Sequence, residues 1–414
     1  MITRIVERGR TLFVTFDILV FTSLIWFMVQ FLRFVFPPLF ETIQGDYGVS
    51  NTEVGLMFSA LLFAYSCMQF PAGYLSDVFN ERVVITAGTV VFGLGSLLVV
   101  LSDPFWTLLV GVGLIGLGTG THKTVAVNLL SRLYPSKTGL SIGVMDTIGQ
   151  AGGVFAPAVV VLVFAIAIDW RAIFLVGAVV CVALAYGFHR SLLRTVSEAD
   201  TAERRGEDGI ADEDGRAGSY IDIFRHYHFA AFVAVSSIYT FSWVGVTSFY
   251  PLYLSNVASF SAGTAGLLYS LLFALSVCQP LTGWLSDRFS TPNIVLITFG
   301  LILGGLLAVL FSQGRFAYIA ATLVLGLGFH GFRPVREAYF MEIIPDAVGG
   351  GVLGLVRTVM TMLGAVAPTL LGVLADVFGL TYSFAVLMGV ILVGIGLTAS
   401  MKVIPMPFEE PIAA

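Results

Sequence analysis

A handful of ionisable side chains lie inside long apolar stretches: Arg33, Lys123, Asp146, Arg333, Arg336, Glu337 and Arg357. A charge in such surroundings is costly and faces a cavity or a partner. The chemistry open to these groups is narrow. Guanidinium and ammonium groups hold carboxylates or phosphates, and arginine does so through two donors at once. Arg33 is therefore a candidate anion clamp; the alternative is an arginine reaching to the headgroups. Lys123 and Arg333 stand 210 residues apart in a chain of 414, and His122 and His330 lie beside them, able to titrate or to donate hydrogen bonds. Glu337 is the candidate for a carried proton, against the alternative of a salt bridge; it lies one helical turn after Arg333. Asp146 and Arg357 have opposite charge at matching places in the two halves. They are candidates for ion pairs closing one side, Asp77 reaching Arg357 and Asp146 reaching Arg288. No metal-ligand cluster, no nucleophile–base spacing and no GxxxxGK[ST] motif accompanies them, so neither an enzyme nor a cofactor is expected.

The elements that position these groups follow from composition. Hydrophobic residues make up 57% of the chain and charged residues 11%. Mean hydropathy is +0.92. A soluble domain carries about 25% charged residues, so this chain is an integral membrane protein with the lipid bilayer as its solvent. Its 45 glycines suit helices packed through small residues. The net charge of −5 gives no reason to expect nucleic acid. Cys67, Cys181 and Cys278 all sit in apolar runs and read as small packing residues, without a disulfide framework. The first apolar stretch is too long for a cleavable leader, and no small-residue cleavage site follows it.

A repeat organises the whole. Gly73-Tyr74-Leu75-Ser76-Asp77 recurs as Gly283-Trp284-Leu285-Ser286-Asp287, 210 residues on. Each copy reads as a tight link between two apolar helices, with Ser-Asp available to cap the next one. Gln69 and Gln279 precede the two copies by four residues. Gly116 matches Gly326, and Pro135 matches Pro345. Asp146 and Arg357 each precede a proline, Pro157 or Pro368, by eleven. The apolar runs fall near 12–38, 51–73, 83–101, 104–133, 138–168 and 171–188, then 229–255, 262–283, 293–312, 316–341, 348–375 and 381–401. Each approaches or exceeds the roughly 20 residues that cross a bilayer. The proline pair at 37–38 is expected to kink the first. Residues 191–228 are mostly polar and read as a solvated linker between halves 1–190 and 229–414. With the N-terminus inside, fourteen of the 21 lysines and arginines fall in inner segments and two in outer loops, so both termini and the linker are expected in the cytoplasm.

On these residues the chain resembles a major facilitator superfamily transporter. The resemblance covers nearly all of it, through the duplicated six-helix unit, the long central loop and the loop motif G-x-L-[SA]-D-R-x-G-R-R. The second copy continues into Arg288. The first lacks the arginine after Asp77 and the inner glycine, and keeps Arg82. The resemblance implies an all-α membrane protein of twelve transmembrane helices in two pseudo-symmetric six-helix bundles. It implies that Gly73, Asp77, Gly283, Asp287 and Arg288 belong to an inner gate. It also implies that Trp26, Tyr65, Tyr239 and Trp243 line the cavity, where Gln69 and Gln279 supply polar contacts. Arg33, the proline that follows and Tyr65 resemble the first two helices of organophosphate and organic-anion transporters. Trp243 and Gly149 depart from the organophosphate carriers, which place an arginine and a histidine there. The reading is a monomeric secondary transporter of the plasma membrane. It works by alternating access on a small anion, coupled to a proton or sodium gradient. A proton-coupled efflux pump for lipophilic compounds, or a non-transporting sensor on the same fold, are the alternatives.

Overall fold

The computed structural model describes residues 2–195, 223–286, 288–344 and 349–404. Most of the central linker, Asp287, Pro345 and the tail from 405 lie outside the described residues. Those described form helices and no strand. In order they are α1 (Ile2–Phe34), α2 (Phe36–Tyr47), α3 (Asn51–Phe79), α4 (Glu81–Val100), α5 (Phe105–Gly120), α6 (His122–Leu133), α7 (Thr138–Ala165) and α8 (Arg171–Thr195). After the linker come α9 (Tyr227–Asn256), α10 (Ala262–Ala274), α11 (Gln279–Ser286), α12 (Thr291–Phe311), α13 (Arg315–Ile343), α14 (Gly349–Phe378) and α15 (Leu380–Val403). Twelve stretches among the described residues are long and apolar enough to cross a membrane. Two of these are each built from two helices. One breaks at Thr121, between α5 and α6. The other passes through a 3₁₀ turn, Leu275–Cys278, between α10 and α11. Large apolar side chains such as Phe70, Trp106 and Phe316 stand exposed, as a lipid solvent allows.

The expected kink is an interruption of one residue, Val35, just before the prolines; the Val35 N–H still donates to the Phe31 carbonyl at 3.0 Å. α1 ends at Phe34, and Pro37 and Pro38 occupy the first turn of α2. That first turn has no intrahelical partner for its N–H groups, so proline loses nothing there. The Gly73–Asp77 stretch is not a turn. It is the last part of α3, and the link to α4 is Asn80 alone, at φ 70°. The repeated serines do not cap the next helix. Ser76 and Ser286 each donate back to the glycine carbonyl three residues earlier, at 2.7 and 2.6 Å. Asn80 caps α4 instead, accepting from the Val83 N–H at 3.1 Å.

The chain divides into two compact units. Of the described residues, one holds those within 2–39 and 60–195, the other those within 40–59 and from 223 on. In the first, α1 packs along α7 and α8, and α4 along α5, α6 and α8. Glycine allows these approaches. A Cβ on Gly95 would lie 2.7 Å from the Gly111 carbonyl, and one on Gly118 would lie 2.5 Å from that of Gly88. The second unit repeats the device. α12 packs on α13 and α15, and α9 on α14 and α15. Gly305 and Gly328 sit at the α12–α13 crossing with no room for a side chain. They match Gly95 and Gly118 at an offset of 210. Close helix packing through small residues replaces the hydrophobic drive that lipid does not supply.

The second unit also contains the start of α3. There the Asp376 carboxylate, near the end of α14, accepts from the Asn51 and Thr52 backbone N–H groups at 3.0 and 2.8 Å. It accepts from their side chains at 2.8 and 2.5 Å. Ser59 meets Thr369 at 2.8 Å. Gly55 and Gly372 lie against the opposing backbone. The repeat-related position of Asp376, 211 residues earlier, is Ala165, so this contact has no sequence counterpart in the first half.

Candidate functional site

In the first unit the polar groups form a strip. Trp26, Gln30 and Arg33 follow at spacings of four and three, which place them on one face of α1. Gly149 on α7 leaves space for the Trp26 indole, and Gly152 lets α7 approach the Phe27 backbone. The Arg33 guanidinium lies 4.0 Å from the centre of the Tyr65 ring on α3, a cation–π contact that orients it without using its donors. Its Nε and Nη2 are buried and make no hydrogen bond. Gln69, one turn after Tyr65, has a buried Nε2 in the same condition, as does the Trp26 Nε1. The unpartnered acceptors are the Gln30 Oε1 on the same face of α1 and the Nδ1 of His122 on α6. Buried donors without partners are costly. Here they collect on two facing helices and outnumber the acceptors.

The strip continues to α6. His122 stacks on Trp26 with ring centres 6.0 Å apart, and its Nε2 donates to the Thr22 carbonyl at 2.9 Å. Lys123 lies 5.1 Å from the Trp26 ring and forms an ion pair with Asp146 on α7. The break at Thr121 immediately precedes this pair of residues.

The second unit builds a different arrangement from matching places. Arg333 on α13 donates from Nε to the Tyr239 hydroxyl at 3.1 Å and lies 4.9 Å from the Trp243 ring. Tyr239 in turn donates to the Phe329 carbonyl at 2.8 Å. Among the described residues Arg333 has no ion-pair partner. Trp243 meets His330 edge-on at 5.2 Å. His330 donates from Nε2 to the Leu272 carbonyl at 3.0 Å, and its Nδ1 accepts from Gln279 at 3.4 Å. Gln279 thereby anchors a histidine just where the 3₁₀ turn ends. Glu337 does not reach back to Arg333. It accepts from Arg336 at 2.7 Å and from Arg357 on α14 at 2.6 Å.

Each unit therefore has an ion pair between repeat-related helices, with the signs exchanged. α7 supplies an acid, Asp146, to a base on α6. α14 supplies a base, Arg357, to an acid on α13. Arg288 stacks over Trp284 at 4.0 Å. Asp77, Gly73 and Gly283 lie in the last turns of α3 and α11; Asp287 is outside the described residues. Two residues escaped the sequence reading. Gln30 was legible as an amide three residues before Arg33 in an apolar run. Asp376 was legible as an acid without a repeat counterpart.

The description "Major Facilitator Superfamily" matches residues 22–278 and 260–412. The chain belongs to this family. It is a multi-pass membrane transporter of small solutes. Among family members with curated names, a probable sulfoacetate transporter of Cupriavidus necator is 27% identical, with 88% of each chain covered. A probable hexose phosphate transport protein of Chlamydia trachomatis is 24% identical, over 73% of this chain and 72% of that one. A bacterial homologue of the human lysosomal transporter Spinster, in an inward-facing and unoccupied conformation, superposes with a TM-score of 0.75. It is 15% identical, and 92% of this chain and 95% of that one are covered. The last likeness supports the fold alone.

Proposed function

We propose that this transporter carries a small organic anion across the cell membrane by alternating access, coupled to an ion gradient. The observation that carries this reading is Arg33. Its charge is balanced by no acid among the described residues, and two of its donors are buried without partners beside those of Gln69 and Trp26. An anion with a planar or tetrahedral head satisfies such a fork in a way that a neutral or cationic solute does not. Arg333 supplies a second cation without an acid, oriented by Tyr239 and Trp243. Two of the relatives are named as carriers of sulfoacetate and of hexose phosphate, both anions, and others as proline/betaine transporters. The two halves, 1–190 and 229–414, are proposed as the moving bodies, with both termini in the cytoplasm. Gly73, Asp77, Gly283, Asp287 and Arg288 are proposed as parts of the inner gate.

The test is uptake into proteoliposomes containing the purified chain. Labelled sulfoacetate, a hexose phosphate, betaine and a lipophilic amine are offered with and without a pH gradient. Saturable uptake of one or both anions is expected. Uptake of the amine alone would replace this reading with efflux of lipophilic compounds.

A further inference from the structure

The anion reading leaves the coupling ion open, and one ion pair speaks to it. Resting on that reading, we propose that the transporter is a proton–anion symporter in which Asp146 takes up the proton when the substrate claims Lys123. Lys123 lies against Trp26, on the strip that ends at Arg33, so it belongs to the donor set an anion would meet. Unlike Arg33, it already has a counter-charge, Asp146 on α7. An anion that draws Lys123 away leaves a carboxylate unpaired inside a membrane helix, which is costly. One proton removes the cost. The empty pair is neutral, and so is the loaded set of ammonium, protonated Asp146 and one substrate charge. The only covalent change is one O–H bond, made on the side of entry and broken on the side of exit. One proton therefore moves with each substrate charge that Lys123 holds.

The other acid paired within a membrane-spanning helix, Glu337, is a poorer place for this exchange. It accepts from Arg336 and Arg357 together, so releasing either arginine leaves it still paired. Asp376 is held by neutral donors from the first turn of α3. His122 and His330 are tied to backbone carbonyls. The helices packed on α7 are α1, α6 and α8. Their described charged and titratable groups are Asp17 and Arg33 on α1, His122, Lys123 and Arg132 on α6, and Arg171, Cys181, Tyr186, His189 and Arg190 on α8. Lys123 alone among them forms an ion pair with Asp146. Asp146 is also the less enclosed partner, with 44% of its side chain exposed against 23% for Lys123.

The experiment uses proteoliposomes with the full chain and a pH-sensitive dye in the lumen. The probe is sulfoacetate or the hexose phosphate, whichever the wild type takes up. Wild type should accumulate the probe down an inward proton gradient and acidify the lumen in step. Asp146→Asn should lose gradient-driven accumulation and lumen acidification at least tenfold, while exchange of labelled for unlabelled probe continues. Asp146→Glu should restore both. If Asp146→Asn does not fold, the swapped pair Lys123→Asp with Asp146→Lys is used, and proton movement should return with it. Proton-driven accumulation that survives in Asp146→Asn overturns the proposal. A wild type that moves the anion without protons overturns the proposal and leaves the anion reading standing. A wild type that moves no anion removes both.

Discussion

Replacing Asp376 with alanine should loosen the first turn of α3 and leave the rest of that helix in place. One carboxylate accepts four hydrogen bonds there, two of them from the Asn51 and Thr52 backbone N–H groups. These are helix N-terminal donors that have no partner inside the helix. A capping side chain is worth about 1–2 kcal/mol when removed. The site is exposed, so water recovers part of the loss. An effect of about 1 kcal/mol on local opening is expected, a factor of about five in the opening equilibrium. Hydrogen–deuterium exchange of detergent-solubilised protein reads it directly. Protection at Asn51 and Thr52 should fall about fivefold, while amides around Leu61 and Leu62 stay unchanged. Asp376→Asn keeps one acceptor oxygen and should give an intermediate result. Unchanged protection in Asp376→Ala would show that the carboxylate does not hold this helix end.

Other expectations test the packing and the placement. Gly116→Ala should destabilise the protein by about 1–3 kcal/mol in thermal unfolding, because a Cβ there collides with the Leu61 carbonyl. Gly113→Ala, on the same helix with open space around it, should be neutral or slightly stabilising; equal losses at both would refute the close crossing. For the orientation, cysteines at Ser290 and Gln313 in a background lacking Cys67, Cys181 and Cys278 should behave oppositely. Impermeant thiol reagent on intact cells should label position 313 and spare position 290, and the reverse pattern would invert the topology. Tyr239→Phe removes the hydroxyl that receives the Arg333 Nε. It should weaken anion binding several-fold and cost about 1–3 kcal/mol of stability, since the Phe329 carbonyl loses its donor as well, and unaltered affinity would take Arg333 out of the site.

Much of this fold was legible because its cause is local. Length and hydropathy define each span, and the offset of 210 carried Gly116 onto Gly326 and Lys123 onto Arg333 without any coordinates. What could not be read were the partners of charges, since these depend on which helix faces which. The sequence reading offered Asp146 to Arg288 and Arg357 to Asp77. Within the units Asp146 meets Lys123 and Arg357 meets Glu337, partners the residue spacing did not announce, while the pairs between halves stay proposals. Helix ends were also hard to read. Gly, Ser and Asp look like a turn at Gly73–Asp77, but in a span much longer than the bilayer requires the helix runs on to Phe79. The interruption at Thr121 has no proline to announce it, whereas the one at Val35 comes where the prolines at 37 and 38 pointed.

The central claim is that the unpartnered donors of Arg33 hold the substrate's negative charge. The measurement is a binding titration of purified wild type, Arg33→Lys and Arg33→Gln with the anion that proteoliposomes take up. Hydrogen bonds to a charged group contribute about 1.5–3 kcal/mol, so Arg33→Gln should raise Kd about ten- to a hundredfold. Arg33→Lys should also bind more weakly than wild type, since it keeps the charge but loses the two-donor fork. Wild-type affinity in both variants would contradict the account and place the substrate elsewhere.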